Sequence, residues 1–136
     1  MKQLVSAFIF SGLDYCNAVL YGLPQSTIGL LQRVQKTAAR VTLGLSPRDH
    51  VRPALKELQW LPVTHCILYK VALLMFMVHD NHCLVYLCES VQPVTSNPVH
   101  QRLCSASSLD FIVPRTRTKF GDCAFSVAGP TVWNSA

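Results

Sequence analysis

The sequence predicts a mainly α fold: a small irregular bundle of about five to six helices, followed by a loosely attached C-terminal segment with a short strand or hairpin. Three observations predict it. Between Ser26 and Leu43, Leu31, Val34, Ala38 and Val41 recur at helical spacing, and Arg33, Lys36 and Arg40 fall on the opposite side. Residues 63–80 hold the most apolar stretch of the chain and read as a buried helix. Helix punctuation (Gly22 and Pro24, Gly44, Ser46-Pro47, Trp60-Leu61-Pro62, Asp80-Asn81) separates the periodic segments.

Taken in order, residues 2–10 carry Leu4, Val5, Phe8 and Ile9 at helical spacing. Gly12 is expected to loosen the chain, with Asp14 capping a second short helix through Leu20. Ser26 or Thr27 caps the next helix, which stops at Gly44. Asp49 caps a helix over His50 to Gln59 that turns Val51, Leu55 and Leu58 inward. Pro62 suits the first turn of the helix that follows, because its missing N–H is an orphan there anyway. A short helix is expected over Leu84–Ser90. Residues 91–108, rich in Pro, Ser, Thr, Asn and Gln, read as a loop or linker. Leu109–Val113 reads as a strand, and Ala124–Trp133 as short apolar pieces broken at Gly129-Pro130. The organisation is therefore a helical domain over 1–90, a linker over 91–108 and a C-terminal segment over 109–136. The expected core is Leu31, Val34, Val41, Leu55, Leu58, Ile67, Val71, Leu74, Met75 and Val78.

A chain of 136 residues is long enough for a real core, and 50% hydrophobic against 14% charged residues argues against wholesale disorder. So few charges predict poor solubility in isolation or a surface that packs against something else. The longest apolar run, Val71–Val78, falls short of the ~18–20 residues of a membrane span, and no membrane partner is expected. Lys2 followed by LVSAFIFSGL also has the form of a signal peptide, with cleavage after about Ala18. Six cysteines would then build a small secreted disulfide-containing protein. The preferred localisation is intracellular, cytoplasmic or nuclear, with the thiols reduced and Cys16 a buried small apolar residue. Tyr15, Tyr21, Trp60 and Trp133 sit in apolar settings and read as core anchors.

No catalytic motif is present. There is no G-x-S-x-G, H-E-x-x-H, P-loop or G-x-G-x-x-G, so neither an active site, a cofactor nor a small-molecule substrate is expected. His79, His82, Cys83 and Cys88, with His65 and Cys66 upstream, are zinc-type ligands, but H-x2-H-C-x4-C is not a finger spacing and no metal site is assigned. The net charge of +5 and pI near 9.0 favour polyanions mildly. Three cationic groups stand out: Arg33, Lys36 and Arg40; Arg48, Arg52 and Lys56 at four-residue steps; and Arg115, Arg117 and Lys119, which share one face if extended. These nine residues are the candidate nucleic-acid-binding set. With little aromatic interleaving, they suit weak, sequence-tolerant contact with RNA or DNA phosphates.

Four stretches carry a family resemblance: SGLDYCNAVLYGLP (11–24), QRVQKTAAR (32–40), LQWLPV (58–63) and VPRTRTKFGDCAFSVAGPTVWNS (113–135). In this order they resemble the C-terminal, post-palm region of the reverse transcriptase polyprotein of LINE-type non-LTR retrotransposons. The likeness spans about Leu4 to Ser135, and Ala7–Ile9, Ser11 and Leu13–Asn17 follow the family pattern. It implies that Met1 is a start falling inside an older reading frame. The family polymerase holds two metal ions on an Asp-Asp pair; here Asp14, Asp49, Asp80, Asp110 and Asp122 are all isolated. The implied function is a non-catalytic remnant, ancestrally supporting RNA and DNA handling beside upstream polymerase domains, whose present form need retain no activity. The family often has Arg where this chain has Gly12, Cys66, Cys104 and Cys123. The resemblance therefore implies that several cysteines are mutational scars and that positive charge has been lost.

Overall fold

The computed structural model describes residues 2–96 and 109–135. The fold is mainly α. Among the described residues there are seven α-helices: α1 (Lys2–Asp14), α2 (Gln25–Leu43), α3 (Val51–Glu57), α4 (Val63–His79), α5 (Val85–Ser90), α6 (Lys119–Asp122) and α7 (Phe125–Trp133). None is long and apolar enough to cross a membrane. The chain forms two compact units, one up to Ile67 and one from Leu68.

In the first unit α2 packs against α1 and α3. Its core has two parts. Ile28, Val63 and Ile67 are buried with Leu13, Leu20, Tyr21 and Leu31 against them. Ala39, Val51, Ala54 and Leu55 are buried with Leu43, Leu45, Leu58 and Trp60 around them. Phe10 meets the Trp60 ring edge-on, with centroids 4.7 Å apart. Each large aliphatic side chain buried this way contributes roughly 1.5–3 kcal/mol.

Several boundaries differ from expectation. α1 runs through Gly12 to Asp14, because Leu13 packs into the Ile28 cluster and rewards the extra turn. Asp14 does not cap a helix; its Oδ1 accepts a hydrogen bond from Asn17 Nδ2 at 3.1 Å. A 3-10 helix, Asn17–Leu20, replaces the second helix, and Cys16 before it is left-handed (φ 53°) and exposed rather than buried. Tyr15 is 81% exposed and anchors nothing in the core. Pro24, not Ser26 or Thr27, is the N-cap of α2. Val34 and Val41, expected inside, are 49% and 60% exposed; Ala38 is buried as expected, and Ile28, Gln35 and Ala39 are buried beside it. The buried face is rotated because Gln35 turns inward to satisfied hydrogen bonds. Leu31, Leu58 and Leu74 are half-buried rather than fully so.

α3 starts at Val51, and Asp49 does not cap it; its Oδ2 accepts the Ser46 N–H at 2.8 Å within the preceding turn. It ends before Gln59, which is left-handed (φ 56°). Trp60 N–H then reaches Leu55 C=O at 2.8 Å, and Gln59 N–H reaches Lys56 C=O at 3.0 Å. That double closure is a Schellman motif. Pro62 precedes α4 and its carbonyl accepts from His65 and Cys66 N–H.

The second unit is built on Met75, Val78, Val91 and Phe111, with Cys83, Leu87, Cys88, Phe125 and Trp133 against them. α4 closes like α3: Asn81 is left-handed (φ 55°) and His82 N–H bonds Met77 C=O at 2.9 Å. The strand expected at Leu109–Val113 reduces to one antiparallel bridge between Pro93 and Phe111. The bridge is held by Ile112 N–H to Gln92 C=O (2.8 Å) and Val94 N–H to Asp110 C=O (3.0 Å). The other edge of Phe111 is occupied by Asn134, whose Oδ1 accepts the Phe111 N–H (3.1 Å) and whose Nδ2 donates to the Phe111 carbonyl (2.8 Å). Trp133 Nε1 donates to Leu109 C=O at 3.0 Å. α7 is continuous through Gly129-Pro130, where a break was expected. Pro130 forfeits one hydrogen bond, but Val127, Ala128, Gly129 and Pro130 are all buried and the packing outweighs that loss. Of the linker expected over 91–108, the described part holds a 3-10 turn at Val94–Ser96; the rest lies outside the described residues.

Candidate nucleic-acid interface

Lys36 and Arg40 stand one turn apart on α2 and so share a face. The chain then reverses. Gly44 takes the left-handed conformation (φ 65°) and Leu45 N–H bonds Arg40 C=O at 2.9 Å. The next turn is closed twice between the same residues, by Asp49 N–H to Ser46 C=O (3.0 Å) and by Ser46 N–H to Asp49 Oδ2 (2.8 Å). This brings Arg48 and the first turn of α3, with Arg52, back beside α2. Lys36, Arg40, Arg48 and Arg52 thus line one cleft of about 360 Å³, together with Asp49, His50, Val51 and Leu55. Val51 and Leu55 of the Ala39–Leu55 core line it, so Lys36, Arg40 and Arg52 project from packed helices and Arg48 from the turn between them.

Electrostatically the lining is cationic. It carries four Lys or Arg against the carboxylate of Asp49, which is already engaged with Ser46. Arg40, expected on the exposed side of α2, is half-buried. Its Nε is buried and finds no hydrogen-bond partner among the described residues. A guanidinium keeps its charge throughout the accessible pH range, and its paired terminal N–H donors match the oxygens of a phosphate.

The other candidate cations lie elsewhere. Arg33 borders a neighbouring apolar groove of about 460 Å³ with Val5, Ile9, Val34, Thr37, Ala38 and Val41. Lys56 is exposed on α3 and is not part of the cleft lining. Arg115, Arg117 and Lys119 belong to the second unit and are exposed. The extended alternation expected for these three ends at Lys119, which opens α6; Thr118 Oγ1 accepts the Gly121 N–H at 3.1 Å there, and Thr116 bonds Asp122. His50 and Asp49 were not among the sequence candidates. Their place between Arg48 and Arg52 is the only sequence signal for them.

Apart from the contact between Cys83 and Cys88, the remaining groups with possible chemistry make only pairwise or isolated contacts. His79 stacks on Trp133 at 5.4 Å, and His82 Nδ1 lies 2.8 Å from Asp80 Oδ2. Cys66 Sγ bonds Leu61 C=O in the first unit. Among the described residues, no group of three or more His, Cys, Asp or Glu is placed to hold a metal ion. Comparison with protein-family models, with curated proteins and with solved structures returns no match.

Proposed function

We propose that this chain is a non-catalytic remnant of the C-terminal region of a LINE-type reverse transcriptase polyprotein, and that the chemistry it retains is weak, sequence-tolerant binding of RNA or DNA phosphates in the α2/α3 cleft. The observation that carries the binding reading is the convergence of Lys36, Arg40, Arg48 and Arg52, from two helices and the turn between them, on one cleft. The cleft is lined by four cations, by Val51 and Leu55, by His50 and by an Asp49 carboxylate already held by the Ser46 N–H. It offers donors to phosphate oxygens and little that reads base edges, so contact is directed to the backbone of the nucleic acid.

The test is fluorescence anisotropy of labelled single-stranded RNA titrated with the full chain over a range of salt. Four phosphate contacts on a single strand predict a slope of log K against log salt of about −3. Oligonucleotides of unrelated sequence should bind alike. Replacing Lys36, Arg48 and Arg52 together by Ala should weaken binding to all of them and bring the slope to about −1. Arg40 is left in place because it is half-buried and its loss would disturb packing. Undetectable binding at low salt, or tight binding to one sequence, would overturn the reading.

A further inference from the structure

Two thiols in the second unit are in direct contact: Cys83 Sγ lies 2.8 Å from Cys88 Sγ. The reason is local geometry. Leu84 is the N-cap of α5, so Cys83 precedes the cap and Cys88 is the fourth helical residue. Those two positions face each other at a helix start and commonly hold an apolar pair that fixes the entry angle of the chain. Here the pair is two cysteines, half-buried against the Met75–Phe111 core. The arrangement is asymmetric. Cys88 also lines an open cleft of about 290 Å³ with His79, Asn81, Pro93, Asp110 and others.

We propose that Cys83 and Cys88 form a reversible dithiol–disulfide pair that exchanges with small-molecule disulfides, of which glutathione disulfide is the type. The Cys88 thiolate attacks one sulfur of the small disulfide from the cleft. One S–S bond breaks, a mixed disulfide forms on Cys88 and one glutathione thiolate leaves. Cys83 then loses its proton and attacks Cys88 Sγ, releasing the second glutathione. The balance is one protein dithiol and one glutathione disulfide converted to one protein disulfide and two glutathiones. The protein is oxidised by two electrons and the small disulfide reduced by two. The hydrogen bond to Cys88, followed by burial, pushes the Cys83 thiol up from its ordinary range. Cys83 therefore holds its proton more tightly than a free thiol does, which suits its place as the second thiol to attack. The product is a covalent form of the contact that already starts α5.

The experiment uses the full chain, reduced and then equilibrated in a glutathione redox buffer, quenched with acid, alkylated and digested with trypsin. Residues 71–102 form one tryptic fragment with Cys83 and Cys88 as its only cysteines. That fragment should lose two hydrogens, while Cys16, Cys66 and Cys123 remain open to alkylation. At a fixed buffer, the ratio of oxidised to reduced fragment should fall about tenfold in denaturing urea, because the fold raises the effective concentration of one thiol at the other. In Cys83→Ser the fragment should instead keep one glutathione on Cys88. A fragment that stays reduced while other cysteines react, or a ratio that urea leaves unchanged, overturns the proposal. An unmodified Cys88 in Cys83→Ser overturns its role as the attacking thiol.

Discussion

Gln35 is fully buried on α2, and both ends of its amide are matched. Nε2 donates to Leu61 C=O at 2.7 Å, and Oε1 accepts from Gln32 Nε2 at 2.6 Å. Gln32 in turn accepts the N–H of Val63, the first residue of α4, at 2.9 Å. One of the orphan donors at the start of α4 is thus capped from another helix. Gln35→Met keeps the volume and removes these bonds, so it should cost about 1–3 kcal/mol; Gln35→Ala adds a cavity and should cost more. Urea denaturation midpoints check this, and a Met variant as stable as the parent would show that the network contributes nothing. Gly129 is the second such position. A Cβ there would lie 2.6 Å from Met75 Sδ and 3.3 Å from Phe125 Cε2. Met75 is wholly buried and has nowhere to withdraw. Gly129→Ala should therefore destabilise by about 1–3 kcal/mol, although alanine is the better helix former. A thermal midpoint at or above the parent's would refute that close approach.

At the scale of elements, the long helices were legible and their faces were not. α2 and α4 announce themselves by length, periodicity and the Gly44 and Asn81 stops. Hydropathy places a glutamine outside, whereas the partners that satisfy Gln35 are the Leu61 carbonyl, 26 residues away, and the Gln32 amide N–H. α7 was misread because Gly-Pro normally ends a helix; only tertiary burial shows why this one continues. The cationic stripes were legible as stripes. Their convergence was not, because it depends on the turn at residues 44–50 folding α3 back on α2. Helix ends also yield a prediction. Gln59 holds a left-handed conformation that costs a side chain roughly 1–2 kcal/mol and glycine almost nothing. Gln59 is exposed, so little packing is lost. Gln59→Gly should raise stability by up to about 1 kcal/mol, read from the denaturant midpoint at unchanged slope. A destabilised variant would mean that the Gln59 side chain makes a contribution beyond its backbone geometry.

Over the whole molecule the charge is unevenly divided. The unit up to Ile67 carries seven Lys and Arg against three Asp and Glu, a net of +4; the unit from Leu68 carries five against four, a net of +1. In the second unit cations and carboxylates nearly balance, whereas the first unit holds the excess of positive charge, with four of its cations lining the α2/α3 cleft. Association with a polyanion should therefore be governed by the first unit. Replacing Arg115, Arg117 and Lys119 by Ala removes as many charges as replacing Lys36, Arg48 and Arg52. If charge count alone mattered, the two triple variants would lose affinity for single-stranded RNA equally. Convergence on one cleft predicts otherwise. The cleft variant should lose about tenfold or more in low salt, with the larger change in salt slope, while the C-terminal variant loses a few-fold. Side-by-side anisotropy titrations decide the matter. Equal losses would reduce the interaction to net charge, and a larger loss for Arg115, Arg117 and Lys119 would move the interface to the second unit.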